Sequence, residues 1–205
     1  MFNRKAVLWG IYGSFLILSG CICSEEPMPR ITYEEPSVPK IRAPKQASTG
    51  WKAKSVGERN WTAIIIHHSA TKYGNSAIFD GWHKDKGWDG VGYDFVIGNG
   101  TNSGDGVVEE TFRWREQREG AHTGGTPNNW ANEEGIGICL VGDFNQKGPT
   151  KKQMDALVNL VRPLQKKYGI SKSRVFGHGT TPGRGHDTDC PGNNFPMSKF
   201  KSMLY

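Results

Sequence analysis

The chain has 205 residues, enough for one ordinary domain with extensions and a single sizeable core, so a second domain is not required. Its formal charge of +6, two units of which sit at Arg4 and Lys5, modestly favours anionic surfaces such as cell-wall polymers or lipid head groups. No basic cluster interleaved with aromatics and no nucleic-acid reader motif occurs, which excludes nucleic acid as a partner.

The chain opens with Asn3-Arg4-Lys5, a mainly apolar stretch from Ala6 to Leu18, and Ser19-Gly20 before Cys21. A basic n-region, an apolar h-region and a small-residue processing site make an export signal, expected over residues 1–20. The apolar stretch is at the short end of the ~17–25 residues a membrane-spanning helix needs, and glycines interrupt it, which argues against an uncleaved anchor. From Ser24 to Ser48, Pro27, Pro29, Pro36, Pro39 and Pro44 stand among charged residues, so residues 21–50 read as a proline-rich linker. Residues 51–205 are left for the folded domain.

Within that domain Trp61 to Ile66 ends in the triplet Ile64-Ile65-Ile66, the pattern of a buried strand. The strand runs straight into His67 and His68, placing imidazoles at its carboxyl end, where α/β sheets bind ligands. Neighbouring strand side chains point to opposite faces, so only one of the pair faces a given site. Ser76 is the expected cap of a helix through about Lys86, with Ile78, Phe79, Trp82 and His83 on its apolar side. Gly92 to Ile97 is a second strand, and the Gly/Asn/Ser-rich turn from Gly98 to Gly106 joins it to Val107–Thr111 as a hairpin. Arg113, Arg115 and Arg118 read as a solvated face.

Ile136 to Val141 is nearly all apolar, as expected for a central strand covered on both faces, with Cys139 acting as a small buried hydrophobe. Thr150 and Gln153 have capping-box spacing, and Met154, Leu157, Val158, Val161, Leu164 and Tyr168 keep a helical period that ends at Gly169. Pro163 lacks an amide hydrogen and should kink or split that helix, so a bend rather than a straight rod is expected there. A short strand at Arg174–Phe176, a loop to Cys190 and a terminal helix opened by Pro196 complete the domain. The predicted fold is α/β: one domain with a mixed central sheet flanked by helices.

His67, His178 and Cys190 together suit a split zinc site, because zinc favours nitrogen and sulfur donors and a catalytic site keeps three protein ligands with one open position. Ligands so far apart have no diagnostic interval. His186, four residues before Cys190, competes with His178 on local spacing. A Cys139–Cys190 disulfide would remove the thiolate that zinc requires.

Five segments in order carry a family resemblance: His67-His68-Ser69-Ala70-Thr71, Gly92–Ile97, Gly120-Ala121-His122-Thr123, Gly135–Gly142 and Thr188-Asp189-Cys190-Pro191-Gly192. They resemble the zinc-dependent N-acetylmuramoyl-L-alanine amidases, in the branch of the phage lysozyme-type amidases and animal peptidoglycan recognition proteins. The resemblance runs from about Trp51 to the C-terminus. It implies that His67, His178 and Cys190 hold zinc, that Tyr93 and Thr188 are catalytic, and that His122, Asn132 and Trp130 contact the muramyl peptide. It also implies cleavage of the amide between N-acetylmuramic acid and L-alanine of peptidoglycan by zinc-activated water. Thr188 stands where the phage enzymes carry lysine, and Cys139 where the recycling enzymes carry glutamate. The alternatives are a non-catalytic peptidoglycan-binding module, whose members typically lose the cysteine ligand, and an amidase recycling 1,6-anhydromuropeptides. Leu18-Ser19-Gly20-Cys21 resembles a bacterial lipobox, which implies lipid attachment at Cys21. Ile22 after it suggests an outer-membrane lipoprotein facing the periplasm. Cys23 has no assigned role, and a monomer is expected.

Overall fold

The computed structural model describes residues 57–205; the export signal, Cys21, Cys23, the linker and the first residues of the predicted domain lie outside them. Five strands form one sheet: β1 (Ala63–His68), β2 (Phe95–Ile97), β3 (Val108–Glu110), β4 (Gly135–Leu140) and β5 (Val175–Gly177). Their order is β3-β2-β4-β1-β5, with β2, β4, β1 and β5 parallel and β3 antiparallel to β2 at one edge. The sheet is therefore mixed, and β4 and β1 are its most enclosed strands, every residue of both being buried. The hairpin between β2 and β3 forms as expected, although β2 is shorter than the predicted Gly92–Ile97.

The two sheet faces have different tasks. Ile64, Ile66, Ile136, Ile138, Leu140, Phe95 and Ile97 point to one face and pack against Leu157, Val158, Val161 and Leu164 of α4 (Lys151–Tyr168) and Phe200 of α5 (Met197–Ser202). Full burial of each such side chain contributes roughly 1.5–3 kcal/mol, so this layer supplies most of the hydrophobic stabilisation. The opposite face carries Ile65, His67, Gly137, Cys139 and Val96; α1 (Ser76–Asp85) covers Val96 and Cys139 through Phe79, Ile78 and Trp82, while Ile65 packs with Ala131, Trp130 and Phe176. Two short helices, α2 (Phe112–Glu116) and α3 (Trp130–Glu133), lie in the connections.

Local signals explain the helix ends, with one correction. Thr150 and Gln153 form the capping box, and Gly169 closes α4 in the left-handed conformation. Pro163 does not split α4, which runs unbroken from Lys151 to Tyr168. Both Pro163 and Asn159, whose carbonyl loses its intrahelical partner, are exposed, so that carbonyl is open to solvent. Helix α1 is capped by Asn75 rather than Ser76: Asn75 Oδ1 accepts from the Ile78 amide at 2.8 Å, and the Ser76 amide donates to the Glu109 carboxylate at 2.7 Å. Pro196 occupies the cap of α5. Among the described residues no helix is long and apolar enough to cross a membrane.

Candidate active site

The parallel strands put two chain ends side by side. β1 and β5 pair in register up to Ile66 and Gly177, so His67 and His178 follow one another across the carboxyl edge of the sheet, their ring centroids 4.7 Å apart. The loop after β5 returns Cys190 to the same edge, and the Gly179 amide donates to the Cys190 carbonyl at 2.6 Å to pin it there. The ligand atoms of His67, His178 and Cys190 all lie within 4.8 Å of one another. Alternation along β1 separates the paired imidazoles as expected. His68 turns to the other face, where its Nδ1 accepts from the Phe144 amide at 3.0 Å. His186 is exposed and outside the trio, so local spacing was the weaker guide.

The donor set fits zinc. Bonds of ~2.3 Å to a thiolate and ~2.05 Å to an imidazole at a tetrahedral angle hold sulfur and nitrogen ~3.6 Å apart. Cys190 Sγ lies 3.7 Å from His67 Nδ1. The His68 amide donates to Cys190 Sγ at 3.4 Å, a bond that favours sulfur carrying negative charge. Both cysteines among the described residues are free thiols, so the Cys139–Cys190 bridge is not formed.

Burial sets the protonation of the cluster. It pushes His67 well below its ordinary value, with His122 and His178 adding repulsion, and lowers His178 to about 4. Both imidazoles are thus neutral near pH 7 and free to donate lone pairs to a metal. Burial likewise raises the Cys190 thiol to about 12, opposed by the His68 amide and the nearby Arg184 charge. A bound cation reverses that preference and takes the thiolate.

Tyr93 precedes β2 and turns its ring to within 5.3 Å of the His67 ring. Burial and the neighbouring thiols of Cys139 and Cys190 hold its phenol well above the usual range, so the hydroxyl keeps its proton and is a donor. Cys139 is fully buried in β4 on the same face, as predicted.

The comparisons with known proteins agree with this geometry. The family model described as N-acetylmuramoyl-L-alanine amidase matches residues 57–193. The chain belongs to that family. It is 37% identical to the endolysin of Escherichia phage T7 over 114 residues, spanning 52% of this chain and 68% of the endolysin. Its fold resembles the N-acetylmuramoyl-L-alanine amidase LysC of Clostridium intestinale, with a TM-score of 0.59, 32% identity, and coverage of 70% of this chain and 85% of LysC. It also resembles a variant of Drosophila PGRP-LB in complex with tracheal cytotoxin, with a TM-score of 0.51, 27% identity, and coverage of 74% and 89%. The activity that follows from the family is that of an N-acetylmuramoyl-L-alanine amidase.

The remaining predicted residues of the amidase site fall into two groups. Thr188 is exposed next to Cys190; its Oγ1 accepts from the Cys190 amide at 3.2 Å, which leaves its own proton free to donate. Trp130 is half-buried at the rim, packed on Phe176 and Arg174, and its indole donates to the Pro182 carbonyl at 3.3 Å. His122 and Asn132, expected to touch substrate, are buried and hold hydrogen bonds inside the protein. Asn132 Oδ1 accepts from the amides of both His122 and Thr123 at 2.9 Å, bracing that loop. The His122 ring is buried, with Nε2 against the Gly135 carbonyl and Nδ1 against His67, and burial lowers it to about 3. Sequence reasoning missed Arg184. Its side chain is 9% exposed, Nη2 donates to the Gly179 carbonyl at 2.9 Å, and its charge helps to lower His178. A lone arginine in a glycine-rich loop gave no signal of that burial.

Proposed function

We propose that the chain is an exported peptidoglycan hydrolase that cuts the amide between N-acetylmuramic acid and L-alanine with a zinc ion held by His67, His178 and Cys190. The observation that carries the reading is the convergence of two neutral imidazoles and one thiol at the carboxyl edge of adjacent parallel strands. Bound there, zinc supplies a Lewis acid that polarises the scissile carbonyl and makes water nucleophilic near neutral pH.

The chain's own residues then orient and stabilise. The Tyr93 phenol, protonated and beside His67, donates to the oxygen on which negative charge develops. Thr188, exposed next to Cys190, offers a second neutral donor to the same oxygen or to the leaving amine. Cys139, where a glutamate base stands in the recycling enzymes, is a buried neutral thiol, so these donors work without a carboxylate from β4. Trp130 supplies an apolar wall at the rim. Peptidoglycan as the substrate is supported by the family and by the tracheal cytotoxin complex of the similar Drosophila protein.

The basic and apolar start of the chain supports export through residues 1–20, lipid attachment at Cys21, and a tether over residues 21–50 that lets a monomeric domain, from residue 51 onward, reach the wall from an outer membrane. Labelling cells with a palmitate analogue tests the anchor: wild type takes the label and Cys21→Ala does not, whereas equal labelling would refute it. The activity is tested by digesting purified sacculi and a defined muramyl tripeptide, followed by mass spectrometry with and without chelator. Free stem peptide and intact glycan, lost on chelation and restored by zinc, are expected. Sacculus binding without any cleavage would favour a recognition module instead.

A further inference from the structure

His122 is the group in this site whose surroundings are most fully determined. Its ring lies flat against Gly137 of β4 and beside Gly120, and a Cβ at either position would collide with the imidazole. The sheet thus gives up a side chain on its functional face to seat this ring. The loop that carries it is fixed from behind, because Asn132 Oδ1 accepts both the His122 and Thr123 amides and Asn132 Nδ2 donates to Asn129 Oδ1 at 2.8 Å. A substrate contact would need none of this.

His122 Nε2 lies 3.1 Å from the Gly135 carbonyl oxygen, which can only accept, so Nε2 carries the proton. The ring is neutral in this buried setting, and Nδ1 is therefore an acceptor. That Nδ1 lies 3.2 Å from His67 Nε2. Among the described residues the Thr123 hydroxyl also bonds to both, at 2.9 Å from His122 Nδ1 and 3.5 Å from His67 Nε2. If His67 carried its proton on Nδ1 instead, two lone pairs would face each other at 3.2 Å, and although the Thr123 hydroxyl could still donate to His122 Nδ1, the repulsion between the two ring nitrogens would remain. With the proton on Nε2, His67 Nδ1 is a bare lone pair, and it is the nitrogen that faces Cys190 Sγ at 3.7 Å.

We propose that His122 is a positioning residue: a relay from the Gly135 carbonyl through His122 to His67 locks the Nε2–H form of His67, so that Nδ1 is the atom offered to the metal. The role differs from substrate contact and from ligation, and it rests on the reading of His67, His178 and Cys190 as a zinc site. A partner that fixes the tautomer of a ligating histidine typically contributes 10–100-fold in metal affinity.

The first test needs neither metal nor activity. Long-range nitrogen–proton NMR of the histidine-labelled, metal-free protein should show His67 as the single Nε2–H tautomer; the Nδ1–H form in wild type would overturn the proposal outright. The second is zinc affinity by chelator competition. His122→Leu should weaken binding ~10–100-fold, whereas His122→Asn, whose carboxamide oxygen can take the place of Nδ1, should recover most of it. Equal affinity in wild type and His122→Leu would refute the relay. Failure of the zinc reading itself has a different signature, since zinc would then bind equally well to wild type and Cys190→Ser while the His67 tautomer stayed as stated.

Discussion

Asp94 allows a quantitative prediction because its surroundings are asymmetric. The residue is fully buried next to Tyr93; Oδ2 accepts from the Gly137 amide at 2.7 Å, while Oδ1 has no hydrogen-bond partner among the described residues. Burial raises its carboxyl from 3.8 to about 7, against the opposing pull of the Gly137 amide and the Arg113 charge. A folded-state value raised above the unfolded one means that the folded protein holds the proton longer. The associated stability is present at low pH and is lost as pH rises from ~4 through ~7. Integrated between about pH 5 and about pH 8, the loss is about 2.5 kcal/mol. Asp94→Asn removes the ionisation but keeps a carbonyl oxygen for the Gly137 amide. It leaves the two amide protons of Nδ2 seeking acceptors where Oδ1 had no partner, an offset of ~1–3 kcal/mol that does not change with pH. Urea unfolding of both proteins at the two pH values gives the difference of differences. The variant should gain on wild type by about 2.5 kcal/mol between the acid and the alkaline buffer. A stability gap that stays constant across this range would refute the reasoning, whatever its absolute size.

Other perturbations separate the parts of the site. Cys190→Ser should abolish hydrolysis and lower zinc retention to background while leaving the circular dichroism spectrum intact; full turnover in this variant would remove Cys190 from the metal site. Tyr93→Phe should lower kcat by ~10²-fold with zinc content unchanged, as for loss of one donor to a developing oxyanion, and unaltered kcat would reduce Tyr93 to packing. Gly137→Ala places a methyl group against the His122 ring, so unfolding should show a loss of ~1–3 kcal/mol together with weaker zinc binding. Wild-type stability in Gly137→Ala would mean that the ring has room to spare.

Much of the fold could be read from local pattern. The triplet Ile64–Ile66 declared β1, strand alternation separated His67 from His68, and Thr150, Gln153 and Gly169 marked both ends of α4. The convergence of His67, His178 and Cys190 was legible from residue type and order. What escaped depends on contacts between distant segments. Asn75 and Ser76 are both good caps, and the choice between them is made by backbone geometry and by Glu109, more than thirty residues away in sequence. Pro163 survives because its face of α4 meets water, which the helical period alone did not reveal. The internal contacts of His122 were not legible, because its partners Gly135, Gly137 and His67 are brought together only by the pairing of β1 with β4. The orphaned oxygen of Asp94 and the burial of Arg184 have the same origin, as properties of the assembled sheet and its loops.

The central claim is that this trio holds the zinc on which hydrolysis depends. Titrating metal-free protein with zinc while following both cleavage of a muramyl tripeptide and the X-ray absorption of the metal tests it most directly. The account predicts turnover rising in proportion to zinc until one equivalent is bound, with a shell of one sulfur at ~2.3 Å and two imidazole nitrogens at ~2.05 Å. Full turnover in metal-free protein, or a zinc shell without sulfur, would contradict it.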